Sequence, residues 1–323
     1  VFYSTLLFWK TYFAPAAAPK KNQLMNRPTL FVLFALVLSS LAAQSAARSY
    51  DYAAPILIGD LPAELDEISG LSVAPGHRSE LLAVQDEEGK IFRINSKTGG
   101  LLWAITFWKD GDYEGVEAVG EDVWVTKSTG TLYHVTNPGA PNQNVDKYNT
   151  MLTGENDVEG LAYDKAKNRL LLACKRDAKD DGNDKDGRYI YAFDLKTKTL
   201  SEKPVFAIEL EAVKNYLAVC EKTTDHERLC DFFISRDEYD LAPSALAVHP
   251  VTGQLFLTSS VGKVLMVLNP DGRIDYMQRL NKKLFAQPEG LAFAEDGTLF
   301  ISTEKKKTAH ARVYRLPFGR LID

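Results

Sequence analysis

Pro288-Glu289-Gly290-Leu291-Ala292-Phe293 is a short apolar tract with one carboxylate set ahead of one glycine, and the chain repeats it. Its counterparts are Glu67-Ile68-Ser69-Gly70-Leu71-Ser72-Val73, Tyr113-Glu114-Gly115-Val116-Glu117-Ala118-Val119, Val158-Glu159-Gly160-Leu161-Ala162-Tyr163 and Pro243-Ser244-Ala245-Leu246-Ala247-Val248. The small residue is the landmark. It falls at 70, 115, 160, 245 and 290, in steps of 45, 45, 85 and 45. The residues after each phrase repeat as well. Glu295-Asp296-Gly297 leads into Thr298-Leu299-Phe300-Ile301-Ser302. His249-Pro250-Val251-Thr252-Gly253 leads into Gln254-Leu255-Phe256-Leu257-Thr258, and then into Lys263-Val264-Leu265-Met266-Val267-Leu268. Gly89, Gly130 and Gly262 mark matching turns. Short runs rich in Val, Ile, Leu, Phe and Tyr, split by Gly/Asp/Asn turns, are strands joined by hairpins. A period of about 45 with four such strands is the signature of a propeller blade.

Strand counting predicts closure. The first four repeats each add a fourth strand, at Leu101–Phe107, Tyr148–Leu152, Val205–Leu210 and Ile274–Leu280. The fifth supplies only three, the last at Ala311–Leu316. Pro55-Ile56-Leu57-Ile58-Gly59-Asp60, near the other end, is the missing strand. Its addition to the last blade leaves no open sheet edge. The step of 85 holds an acidic run, 177–187, and a stretch, 211–240, that opens on Glu211-Ala212-Val213-Lys214-Asn215-Tyr216-Leu217 with helical spacing. The expectation is an all-β, five-bladed β-propeller over residues 52–318, closed by an N-terminal strand and carrying one helical insertion. Six blades is the alternative.

The innermost strand of each blade borders the axial channel, so residues at its entry converge from all blades. Ser69, Glu114, Glu159, Ser244 and Glu289 stand just before the landmarks. Glu67, Asp112 and Asp157 stand two positions earlier. Carboxylates gathered in a narrow channel repel one another, so their pKa values rise or a cation sits among them. Calcium takes six to eight oxygens, and the expected ligands of an axial Ca2+ are Glu114, Glu159 and Glu289, with Glu67 reaching in from the blade whose inner position is Ser69. The opposing reading is a metal-free lattice. There the glutamates accept backbone N–H groups of the next blade, or pair with Lys127 and Lys175 at the ends of the second strands. The acidic run 177–187 fits no EF-hand frame and reads as a solvated hairpin tip.

Ile68-Ser69-Gly70-Leu71, Asp157-Val158-Glu159-Gly160-Leu161, Pro243-Ser244-Ala245 and Pro288-Glu289-Gly290-Leu291-Ala292-Phe293, in this order and behind a closing strand, resemble the SdiA-regulated, YjiK-like family. The resemblance spans about residues 52–318. It implies a five-bladed propeller, a calcium ion in a family site, and distant kinship to NHL repeats and to the calcium-dependent arylesterase propellers. Ser244-Ala245 departs from the usual glycine and puts the close packing of that blade in question.

The 323 residues are 45% hydrophobic and 25% charged, a globular balance. Lys+Arg is 38 against Asp+Glu 43, so nothing in the charge favours nucleic acid. Residues 1–47 contain no acidic group. Met25-Asn26-Arg27-Pro28, the apolar run Thr29 to Ala43 and the small residues to Ala47 describe a signal peptide over 25–47. Residues 1–24 then read as upstream extension. An uncleaved anchor is the alternative, but the run is short of the roughly 20 residues of a membrane span. The expectation is an exported monomer, periplasmic or extracellular, that does not stay in the membrane. Without the four positive charges of 1–47, the 38 basic groups fall to 34 against 43 acidic, a net of -9. In an oxidising compartment Cys220 and Cys230 are placed for a local disulfide, with two free thiols as the alternative. Cys174 completes the three, and no Cys-x-x-Cys marks a zinc site.

For function, a binding module for a small ligand or a protein stands against a calcium-dependent hydrolase of the lactonase or arylesterase kind. His77 and His249 fall at the far channel end, His134 in an outer strand, His226 in the insertion and His310 in the last hairpin. That leaves Asp86 or Glu304 as the base of a hydrolase. There is no Gly-x-Ser-x-Gly elbow, phosphate-binding glycine loop or His-Glu-x-x-His, and the binding reading is preferred.

Overall fold

The apolar tracts pair antiparallel into five sheets arranged as a ring. The computed structural model describes residues 45–77, 79–176, 187–220, 222–235 and 239–319. The upstream extension 1–24, the leader as far as residue 44 and the acidic run except Gly187 lie outside the described residues. The closing strand β1 is Ile56–Asp60. The first blade is β2 Ile68–Val73, β3 Glu80–Gln85, β4 Lys90–Asn95 and β5 Leu101–Thr106. The second is β6 Tyr113–Val119, β7 Asp122–Lys127, β8 Leu132–Thr136 and β9 Asn144–Tyr148. In the third, β10 Val158–Asp164 and β11 Arg169–Cys174 lead to β12 Gly187–Asp194. Two short strands share its outer edge, β13 Thr199–Leu200 and β14 Phe206–Glu209, both paired with β12. The fourth is β15 Pro243–Val248, β16 Leu255–Ser259, β17 Val264–Leu268 and β18 Ile274–Arg279.

The fifth blade is β19 Pro288–Phe293, β20 Leu299–Thr303 and β21 Arg312–Leu316, with β1 as its outer strand. Ile56 pairs with Arg315 and Asp60 with Arg312. The ring is therefore five-bladed and closed by the N-terminal strand, and the six-bladed alternative is discarded. The long step between the third and fourth landmarks is taken up by helices α1 Leu210–Val219 and α2 Thr224–Phe233. Thr223 caps α2, its hydroxyl accepting from His226 N at 3.2 Å. Val213 and Leu217 of α1 share a face by their i, i+4 spacing, and they bury it with Leu229, Phe232 and Phe233 of α2.

Five apolar clusters hold the molecule together, one at each blade-to-blade interface. Successive inner-strand residues face opposite neighbours. Leu161 packs toward the second blade's cluster, and Ala162 toward the fourth's. The landmark glycines explain how close the blades stand. A Cβ on Gly70 would lie 2.8 Å from Val116 N and 2.9 Å from Gly115 Cα of the next blade. On Gly115 it would lie 2.6 Å from Leu161 Cβ, and on Gly290 2.7 Å from Leu71 Cβ. The fourth blade carries Ala245 there and still closes. Ser244 Oγ donates to Pro288 O of the fifth blade at 2.6 Å.

Ala46–Ser49 forms a turn of 3-10 helix, with Ser45 at its N-cap, against the fourth and fifth blades. Ala46 and Ala47 are buried, and Ala46 N donates to Gln254 Oε1 at 3.0 Å. Tyr50 OH donates to Gly297 O at 2.6 Å and lies 3.0 Å from His249 Nε2. Burial pulls the His249 imidazole down to about 4, so it stays neutral within this core. The last three residues assigned to the leader are thus part of the propeller. Cys174, Cys220 and Cys230 are all free thiols. Cys230 Sγ lies 3.5 Å from His226 Nε2 one turn earlier in α2, and Cys220 Sγ 3.8 Å from Leu217 O.

Candidate metal centre at the channel mouth

Each inner strand carries one irregularity, at the same place. The pairing with the second strand skips a residue between Ile68 and Gly70, Tyr113 and Gly115, Val158 and Gly160, Pro243 and Ala245, and Pro288 and Gly290. The residue skipped is Ser69, Glu114, Glu159, Ser244 or Glu289. All five expected ring positions are therefore bulge residues. A β-bulge leaves one residue out of the ladder and re-aims its side chain.

The bulges bring Ser69, Glu114, Glu159 and Glu289 to one axial cavity, with about 10 Å³ open to the centre of a water-sized particle. That is room for one small particle. Glu159 and Glu289 are buried, and Glu114 is half-buried. Glu67 is exposed and does not line the cavity. It acts on Asp86 and Glu304 instead, adding to the burial that raises the pKa of both. Ser69 from the same blade reaches the cavity, and its hydroxyl donates to Glu67 O at 3.2 Å.

The electrostatics follow from this crowding. Burial, then Asp112, Glu159 and Asp86, push the Glu114 carboxyl up to about 10. Burial, then Glu159 and Glu304, hold the Glu289 carboxyl well above the usual carboxylate range. Burial brings Glu159 up to about 7 although Lys175 opposes it. Burial with Glu67 and Asp86 brings Glu304 to about 7. Lys175 forms a direct ion pair with Glu159 and stands 3.9 Å from Asp157. Of the two lysines expected to pair with the ring glutamates, Lys175 does so. Lys127 turns away, its Nζ lying 5.5 Å from the centre of the Tyr113 ring.

Lattice bonding does occur, at a glutamate whose role the sequence did not disclose. Glu117 Oε1 accepts from Tyr163 N of the third blade at 2.9 Å, and its other oxygen accepts from the Ser72 hydroxyl of the first. Ser72 Oγ in turn accepts from Ala118 N at 3.2 Å. One side chain on β6 thus ties three blades. Burial lifts its carboxyl to about 7 against these hydrogen bonds. The signal lay in the repeat: the position two after each landmark reads Ser72, Glu117, Ala162, Ala247 and Ala292, so one large charged residue stands among small ones.

The donor set is all oxygen and anionic, which suits a hard cation. Asp86 Oδ1 is buried with no hydrogen-bond partner among the described residues and adds an unsatisfied acceptor beside the ring. As the side chains stand, no three acidic, His or Cys groups among the described residues are drawn together tightly enough to cage an ion. Loading would require the glutamates to rotate inward and Lys175 to release Glu159. The histidines play no part: His134 bonds Asp122 at 2.8 Å, His310 lies 3.1 Å from Asp66, and His226 lies 2.8 Å from Leu217 O.

Among the described residues no helix is long and apolar enough to cross a membrane. No curated protein matches the chain. Among solved structures, the glutaminyl cyclase of Myxococcus xanthus is 13% identical, over 83% of this chain and 94% of that one, with a TM-score of 0.49. The PQQ-bound aldose sugar dehydrogenase of Streptomyces coelicolor is 12% identical, over 82% and 98%, with a TM-score of 0.47. A protein of unknown function from Bacteroides thetaiotaomicron is 14% identical, over 77% and 57%, with a TM-score of 0.46. At these identities the likeness is one of chain path, and it brings no activity, ligand or site residue with it. Over residues 45–180, which hold the closing strand and the first three inner-strand phrases, the chain matches the family model of the SdiA-regulated proteins.

Proposed function

We propose that this chain is an exported, calcium-binding β-propeller that acts as a binding module through the acidic end of its channel. One observation carries the reading. Three bulged glutamates surround a single axial cavity, and among the described residues one ammonium, that of Lys175, pairs directly with any of them. The remaining carboxyls relieve their repulsion by holding protons, and a divalent cation does so more completely. Glu114, Glu159 and Glu289 would hold the ion, with Asp86 and Glu67 next to them. The helical insertion runs from β14 to β15, and α1 and α2 pack against β14 and β18, the outer strands of the third and fourth blades.

Calorimetric titration of chelator-treated protein tests it. Calcium is expected to bind with about one ion per chain and to raise the melting temperature. Glu159→Gln and Glu289→Gln are each expected to weaken binding by about tenfold or more. A melting temperature unmoved by Ca2+ would return the site to the salt-bridge lattice.

One observation favours a second reading, a calcium-dependent hydrolase. Burial, then Glu67 and Asp86, raise the Glu304 carboxyl to about 7, the range in which a carboxylate serves as a general base. The bound ion would supply polarisation of an ester or lactone carbonyl. Glu304 would take the proton from an attacking water. Turnover of esters or lactones that is lost both with chelator and in Glu304→Gln would establish it.

Export carries its own test. Cleavage after Ala47 would strip two buried alanines and the Ala46–Gln254 hydrogen bond from the domain. N-terminal sequencing of the processed protein is expected to read a start at or before Ser45. A start at Arg48 would show that this turn is dispensable.

A further inference from the structure

β5, the outer strand of the first blade, is a sheet edge without a charge. It reads Leu101-Leu102-Trp103-Ala104-Ile105-Thr106. Natural sheets blunt such edges with charge, bulges or shortness, because a row of unpaired N–H and C=O groups recruits another strand. The other outer strands of this ring are blunted. β9 carries Asp146 and Lys147, and β18 carries Asp275 and Arg279. β13 has two residues, β14 ends in Glu209, and β1 skips Ile58 and ends in Asp60. β5 also skips one residue against β4, but that residue is Leu102, which is 46% exposed beside Leu101 at 40%. Leu57 of β1, on the adjoining fifth blade, is 45% exposed. The two outer strands come close there, since a Cβ on Gly59 would lie 2.3 Å from Thr98 O of the β4–β5 turn.

The backbone of this edge faces outward at Ala104. Thr106 O accepts from Gln143 Nε2 at 3.1 Å, so that carbonyl points away from β4. Antiparallel ladders alternate, so the N–H and C=O of Ala104 point the same way. Trp103 and Ile105 pack instead against the cluster between the first and second blades. The edge is complementary to itself. Laid antiparallel on a second copy with Ala104 opposite Ala104, it sets Trp103 opposite Ile105 and Leu102 opposite Thr106. Only methyl groups then meet at the axis, and an aromatic residue opposite a β-branched one is a favourable cross-strand pair. The two ends of the strand differ in sign. Lys97 is exposed at the entry, where Asp60 is already paired with Arg312 at 2.6 Å. The exit gathers Glu87, Glu88 and Asp110 against Lys90 and Lys109, and is acidic on balance. Antiparallel pairing brings the basic end of each copy to the acidic end of the other.

We propose that two copies of this chain join through β5, edge to edge and antiparallel about a two-fold axis at Ala104, in place of the monomer expected from the sequence. Two four-stranded blades become one continuous sheet. Such a contact uses the same patch on both copies and closes as a dimer. It shares no residue with the axial cavity and does not depend on calcium. The test is sedimentation equilibrium of the full chain over a concentration series. The contact is one strand from each side, so a dimer that fills with concentration and dissociates on dilution is expected. Ala104→Lys sets two ammonium groups face to face at the axis and is expected to weaken association by about tenfold or more. Ala104 is exposed on an outer strand, so the melting temperature is expected to stay where it was. Lys97→Asp is expected to weaken association by about threefold, and adding Asp110→Lys to it, which reverses both ends, to restore it. Chelator is expected to change nothing. Three results overturn the proposal. The chain is monomeric at every concentration, which would leave the edge to a strand of another protein. Association survives Ala104→Lys undiminished, as it would if another surface were responsible. The double charge reversal associates no better than Lys97→Asp alone.

Discussion

Gly70→Val is expected to destabilise the propeller by about 3 kcal/mol or more, because it forces a side chain between two blades that meet backbone to backbone. Its first added carbon would already lie 2.8 Å from Val116 N and 2.9 Å from Gly115 Cα. Those atoms belong to the main chain of β6 and cannot rotate aside, so the inner strands must part. Parting them opens the cluster shared by the first and second blades, which includes Val84, Val116 and Tyr113. For a domain of this size each kcal/mol shifts the melting temperature by roughly 2–4 °C, so a fall of about 6–12 °C is expected by calorimetry. Gly154→Ala is the control. A methyl added at Gly154 would meet no atom within 4 Å, its φ is ordinary, and the substitution is expected to be neutral within about 0.5 kcal/mol. Equal effects of the two substitutions would refute the close-approach account of the repeat.

Metal-free protein is expected to lose stability as the pH rises from about 4.5 to about 7, the reverse of the usual acid denaturation limb. The sign follows from the direction of the shifts. Glu159, Glu304 and Glu117 each rise to about 7 in the folded state. A carboxyl with a raised folded pKa stabilises the fold fully below its unfolded pKa, and that stability is lost as the pH climbs through the folded value. A rise of roughly 2.5 pH units corresponds to on the order of 3 kcal/mol for one group acting alone. Coupling within the ring makes the total less than a sum over groups. The cations facing these groups, Lys175, Lys263 and Lys306, soften the loss without removing it. Calcium at pH 8 is expected to restore the stability, since it takes the place of the protons. Glu117→Gln is expected to flatten only its own share of the slope, because Glu117 lies among the inter-blade hydrogen bonds rather than at the axial cavity. Melting curves from pH 5 to pH 8, with chelator and with excess Ca2+, decide the matter. A flat or rising metal-free curve would remove the crowding argument.

The repeat made the blades legible because propeller strands are local. Each apolar tract pairs with the next one along the chain, so spacing and turn glycines fix the sheet before any distant contact is considered. Closure was legible for the same reason: one strand was missing at one end and spare at the other. The ring positions were legible as a register, but not the bulges that aim them. Whether a strand pairs evenly or skips a residue is decided by its partner. Lys127 and Lys175 occupy equivalent places in the repeat, yet only Lys175 reaches a glutamate, while Lys127 settles over Tyr113. Both cysteines of the insertion were legible as neighbours in sequence, and the structure leaves them as free thiols on and beside the helices.

The sequence by itself determined the number of blades, the closing strand, the helical character of the insertion and which carboxylates share a level. These depend on periodicity, which the chain carries locally. Only the tertiary structure decided that Glu67 stays outside the axial cavity, that Glu117 binds three blades together, and that Ser45–Ala47 belong to the domain. Each of these is a meeting of groups far apart along the chain, and such meetings are set by how closely the blades pack around the axis.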